Sequence, residues 1–117
     1  MKGFLLALCV FSLSLPAHSA EFQQTGTASW YGSENGRCAN GERYSASAMT
    51  AAHRTLPLGC MIRVTNLGNN RSVVVRVADR GPFCKKRILD ISKAAASELQ
   101  MIRAGTARVK VETLASN

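Results

Sequence analysis

Arg76 to Ser92 reads R-V-A-D-R-G-P-F-C-K-K-R-I-L-D-I-S. An apolar strand runs into Asp79, Gly81-Pro82 turns the chain, a basic loop follows, and a short apolar run ends in Asp90. Two carboxylates eleven residues apart thus close two apolar segments, in a chain with only seven acids. The turn fixes the backbone just where an acid would need aiming. Taken alone, the same residues also fit an Asp79–Arg80 ion pair and an Asp90 that caps the next helix. The flanking segments decide between these readings.

Upstream, Gly59 to Asn66 alternates Cys60, Ile62 and Val64 with Met61, Arg63 and Thr65, the period of a strand. Leu67 to Asn70 reads as a hairpin loop. Ser72 to Ala78 returns as a strand with Val73, Val75 and Val77 on one face, and Val74 on the other predicts partial cover on both sides. Downstream, Ser92 is a good N-cap for a helix with Ala95, Leu99 and Ile102 as its apolar stripe, ended by Gly105. Thr106 to Leu114 is the final strand, with Ala107, Val109 and Val111 facing in. Gln24 to Tyr31 is the first. Its last two residues, Trp30 and Tyr31, face opposite ways, so one can fill the core while the other offers a flat ring to a sugar. Several short strands and one helix are most simply closed as a small barrel, which leaves no long bare edge.

The chain has 117 residues and a formal net charge of +8. Lys2, the apolar run Phe4 to Leu15 and the small-residue end Pro16 to Ala20 predict a signal peptide over 1–20, too short to span a bilayer. Residues 21–117 then form one small domain. Cys9 lies inside the apolar run and no Cys follows the expected cut, so no lipid anchor is expected. The positive charge suits an anionic partner, and for an exported protein a wall polymer fits better than nucleic acid. A basic surface that serves only solubility fits the charge equally well.

Ser33 to Tyr44 is a loop, with turn signals at Asn35-Gly36 and Asn40-Gly41 and Glu42 directly after the second. His53, the only histidine of the mature chain, follows small residues and precedes a strand. Without a second His or any His/Cys ligand spacing, neither a metal site nor another cofactor is expected. Cys38, Cys60 and Cys84 survive export. Cys60 shares a strand face with Ile62 and Val64 and reads as a buried free thiol. Cys38 and Cys84 then form the expected disulfide between two loops, although any of three pairings is open.

The stretches A-S-W-Y-G, A-N-G-E, T-A-A-H-R-T-L-P, I-R-V-T-N-L, R-S-V-V-V-R-V-A-D-R-G-P-F and L-D-I-S-K-A-A-A, in that order from Gly26 to Leu114, resemble the rare lipoprotein A family. The resemblance implies a mainly β fold, a six-stranded double-psi β-barrel with one short helix. It implies a lytic transglycosylase that cuts naked peptidoglycan glycan strands and leaves 1,6-anhydromuramic ends. The family's functional Glu, His and Asp fall on Glu42, His53 and Asp79, and the second cleft carboxylate of expansin-like barrels falls on Asp90. Trp30, Tyr31, Asn40, Thr50, Arg80 and Phe83 are the expected substrate contacts, with Arg80 on the lactyl carboxylate of muramic acid. The expected protein is an exported monomer, periplasmic or extracellular. Well-known members also carry a lipid-anchor Cys and a C-terminal peptidoglycan-binding domain, which this sequence does not show. They usually have Thr where Cys38 stands and lack Cys at position 84.

Lytic transglycosylation needs one group that protonates the leaving glycosidic oxygen and then takes the proton from the sugar's own 6-hydroxyl as the anhydro ring closes. That group must hold its proton near neutral pH, which burial or a like-charged neighbour can arrange. Asp79 is the expected acid/base with Asp90 close behind, His53 orients the site, and Glu42 tunes its charge or holds sugar. Two other classes use the same residues. One is a non-catalytic, expansin-like module that binds or loosens the wall. The other is a hydrolase using two carboxylates and water.

Overall fold

A computed structural model describes residues 22–31, 38, 41 and 43–115. The expected signal peptide, Asn40 and Glu42 lie outside the described residues. The elements are β1 (Gln23–Trp30), β2 (Thr50–Ala52), β3 (Met61–Asn66), β4 (Arg71–Asp79), β5 (Leu89–Ile91), α1 (Lys93–Glu98) and β6 (Thr106–Thr113). The strands close into a barrel in the order β1-β5-β2-β4-β3-β6. Closure comes from β6, which runs antiparallel to β1 from Gln23↔Glu112 to Ser29↔Thr106 and to β3 on its other side. The pairs β1/β5 and β2/β4 are parallel, so the chain crosses over the barrel between them.

The period-two pattern explains the interior. Ile62, Val64, Val75, Val77, Val109 and Val111 are fully buried, joined by Leu89 and Ile91 from β5. These residues turn their outward neighbours to solvent. Val74 is one of those, 39% exposed, so the expected cover on the outer face of β4 is absent there. Neither β2 nor β5 alternates over more than three residues. Each forms because it pairs with one long strand, β2 with β4 and β5 with β1, and with the other short strand on its remaining side.

Ser92 caps α1 as expected: its side chain accepts from the Ala95 N–H. The helix stops well before Gly105. Gln100 takes φ 56, its N–H reaches the Ser97 carbonyl and the Met101 N–H reaches the Ala96 carbonyl, which completes a Schellman turn. The apolar stripe misled because Leu99 and Ile102 pack on the core after the helix has ended. Among the described residues no helix is long and apolar enough to cross a membrane.

Candidate active site

Ala52, at the end of β2, pairs with Asp79 of β4 on one side and with Asp90 of β5 on the other. Asp90 pairs in turn with Ser29 of β1. Residues side by side in a sheet share a face, so Ser29, Asp90, Ala52 and Asp79 form one row across four strands. This row lies on the outer surface, because the partners one position away, Ala51 with Val77 and Ile91, are fully buried. Asp79 reaches it through a register shift. Two residues after the inward Val77 it would also face in, but the ladder steps from Ala51↔Val77 to Ala52↔Asp79 and passes over Ala78. The extra residue turns the carboxylate outward.

Above the row is a cleft of about 330 Å³. Asp79 and Asp90 line it with the small Ala52 between them, and Tyr31, Tyr44, Phe83 and Arg87 line it too. The tyrosine rings meet edge to face with centroids 4.7 Å apart, and the Tyr44 hydroxyl donates to the Tyr31 carbonyl at 3.3 Å. Phe83 is 88% exposed. Such flat apolar faces beside carboxylates suit a sugar chain.

The two acids have different surroundings. Asp90 Oδ1 accepts from the Ser29 hydroxyl at 2.5 Å and from Arg87 Nε at 3.1 Å. Asp79 Oδ1 accepts the Arg80 backbone N–H at 2.8 Å, and its carbonyl accepts from the His53 N–H at 3.1 Å. Burial pushes the Tyr31 phenol far above its ordinary range, against the opposing pull of its hydrogen bond with Thr50.

The expected contacts differ in their surroundings. Trp30 pairs with Ile91 and packs against the core, so Tyr31 is the ring of that pair which meets the cleft. Thr50 is buried, and its hydroxyl lies 3.1 Å from the Tyr31 hydroxyl, which steadies that ring from behind. Arg80 lines the cleft, but its Nη1 donates to the His53 and Leu56 carbonyls at 3.1 and 2.7 Å.

His53 does not line the cleft. It is buried, with Nδ1 accepting the Thr55 and Leu56 N–H groups, each at 3.1 Å. The ring proton therefore sits on Nε2 and points to Gln24 Oε1, 2.9 Å away. Burial, then the nearby Arg54 and Arg80 charges, lower its pKa. The imidazole is held neutral as the hub of a tight turn.

The expected Cys38–Cys84 disulfide is corrected: among the described residues Cys38, Cys60 and Cys84 form no disulfide with one another. Cys38 is buried and lines the cleft, whereas Cys84 is exposed and lies outside its lining. Cys60 is only half-buried, and that burial pushes its thiol pKa up. Among residues given no role by the sequence reading, Ala52, Tyr44 and Arg87 line the cleft. Arg87 had a usable signal, three residues before Asp90 in a basic loop.

A family model described as lytic transglycolase matches residues 23–111. The endolytic peptidoglycan transglycosylase RlpA of Neisseria meningitidis is 57% identical over 97 residues, 81% of this chain and 41% of that protein. The protein of the same name from Campylobacter jejuni is 54% identical over 91 residues, 76% of this chain and 33% of that one. The chain thus spans less than half the length of these curated relatives. In structure it is similar to a Streptomyces papain inhibitor, with TM-score 0.67, 24% identity, and 82% and 97% of the two chains covered. A Clavibacter michiganensis expansin in complex with cellohexaose gives TM-score 0.67 and 21% identity, with 82% and 52% covered. Both likenesses concern the barrel fold.

Proposed function

The chain belongs to the lytic transglycolase family, and from that membership we propose that it is an exported peptidoglycan lytic transglycosylase that cuts naked glycan strands and leaves 1,6-anhydromuramic ends. The observation that carries this reading is the row Asp79–Ala52–Asp90 on the floor of an aromatic-walled cleft. Asp79 protonates the glycosidic oxygen as the bond to the anomeric carbon breaks. Asp90, fixed by Ser29 and Arg87, faces the positive charge that develops on the sugar ring. The 6-hydroxyl oxygen of the same sugar bonds to the anomeric carbon and gives its proton to Asp79, which restores the acid. No water is consumed and no cofactor takes part.

Tyr31, Tyr44 and Phe83 hold sugar faces. With Arg80 Nη1 bonded to two carbonyls, Arg87 is the better cation for a substrate carboxylate. His53 orients the site through its turn and moves no proton. Glu42 tunes the charge or holds sugar, and Asn40 contacts the substrate. Residues 1–20 direct export, to the periplasm or beyond, and the domain works as a monomer.

The test is incubation of the mature domain with peptide-stripped glycan strands and with sacculi. Soluble anhydro-ended fragments support the reading. Binding to sacculi without fragment release indicates an expansin-like wall-binding module instead, and fragments with reducing ends indicate a hydrolase.

A further inference from the structure

Arg54 lies outside the cleft lining and was assigned no role by its sequence context, yet its guanidinium binds three carbonyls of one loop. Its Nε donates to Pro82 O at 2.9 Å, and its Nη2 donates to Cys84 O at 2.8 Å and to Arg87 O. That loop joins β4 to β5 and so connects Asp79 to Asp90. It carries Phe83 on the cleft wall and Arg87, whose Nε meets Asp90 Oδ1 at 3.1 Å. The loop is already cationic, with Arg80, Lys85, Lys86 and Arg87. A further positive charge there does not serve charge balance. What Arg54 supplies is a planar fork of donors matched to carbonyl oxygens, a geometry that the single ammonium of lysine lacks.

The attachment is reciprocal. Arg80, at the start of the loop, donates to the carbonyls of His53 and Leu56 on either side of Arg54. The turn that presents those carbonyls is itself closed by the His53 ring. Two arginines thus tie two loops to each other, with five side-chain hydrogen bonds to backbone oxygens.

We propose that Arg54 is a positioning residue: through the Pro82, Cys84 and Arg87 carbonyls it fixes the Phe83 wall of the cleft and holds Arg87 against Asp90. The effect on cleavage rests on the transglycosylase reading, whereas the effect on the loop does not.

The experiment compares wild type with Arg54→Lys and Arg54→Ala by site-resolved amide hydrogen exchange and by steady-state cleavage of peptide-stripped glycan strands. Exchange across 83–87 is expected to rise at least tenfold in both variants, with β1, β3 and β6 unchanged. kcat is expected to fall tenfold or more with a smaller change in KM, and added methylguanidinium restores part of the rate in Arg54→Ala. Unchanged exchange across 83–87 in both variants overturns the proposal. So does a lysine variant with wild-type exchange and kcat, because charge alone would then suffice. Faster exchange in variants of a wild type that cleaves nothing supports the loop attachment and overturns the transglycosylase reading alone.

Discussion

Asp79 and Asp90 stand on either side of Ala52 in a single row of the barrel, two strands apart and so about 10 Å apart at the backbone. Each faces the cleft with its own partners, Asp90 with Ser29 and Arg87, and Asp79 with the Arg80 N–H. A sugar ring laid over Ala52 would meet a carboxyl group on each side. Asp90→Asn keeps the shape but weakens the attraction for Arg87, and it is expected to lower kcat about a hundredfold or more, as loss of a charge-stabilising group typically does. Circular dichroism should show an intact barrel, and steady-state cleavage of stripped strands measures the loss.

The small floor between the acids makes a second expectation. Ala52 is nearly buried beneath the cleft, and a longer side chain there must rise into it. Ala52→Leu is expected to weaken binding of stripped glycan at least tenfold. Ala52→Ser, close in size, should bind within about threefold of wild type. Calorimetric titration of both proteins with purified strands distinguishes these outcomes. Equal binding by the leucine variant would place the sugar elsewhere.

His53 gives the fold a pH dependence of known sign. Its folded pKa lies below the ordinary 6.5, so between the two values the unfolded chain binds the proton more readily. The contribution is complete above about pH 6.5 and is lost as pH falls through that window, at no more than about 1.4 kcal/mol per pH unit. Protonation would set an N–H at Nδ1 against the Thr55 and Leu56 N–H groups. In His53→Asn the side-chain oxygen can still accept from such a turn, without titrating there. Urea midpoints from pH 7.5 to 5 should fall less steeply for this variant than for wild type.

Ile91 anchors the strand that carries Asp90. It is fully buried, opposite Trp30 on one side and Ala51 on the other. Ile91→Val is expected to cost about 0.5–1.5 kcal/mol and Ile91→Ala about 2–5 kcal/mol, the range for buried truncations that leave a cavity. Equilibrium urea unfolding measures both.

Most of the barrel was readable from its four long strands, because Ile62/Val64, Val75/Val77 and Val109/Val111 repeat at the strand period. Thr50–Ala52 escaped that reading. Three small residues carry no periodicity, and they become a strand only between β4 and β5. The row of acids depends on that strand and on the step past Ala78, neither of which leaves a pattern in the chain. Asp79 and Asp90 were legible as carboxylates ending apolar runs. Arg54 was not, since its acceptors are backbone oxygens about thirty positions away. His53 was identified by type, but the two N–H donors that make it a turn hub lie in the fold. The tail of α1 was misjudged because Leu99 and Ile102 continue the apolar pattern on the core past the helix end.

The decisive measurement is the mass of the glycan ends released from peptide-stripped strands by wild type and by Asp79→Asn side by side. The account expects wild-type ends lighter by one water than hydrolytic ends, and none above background from the folded Asp79→Asn protein. Reducing ends from wild type, or undiminished anhydro ends from Asp79→Asn, would contradict it.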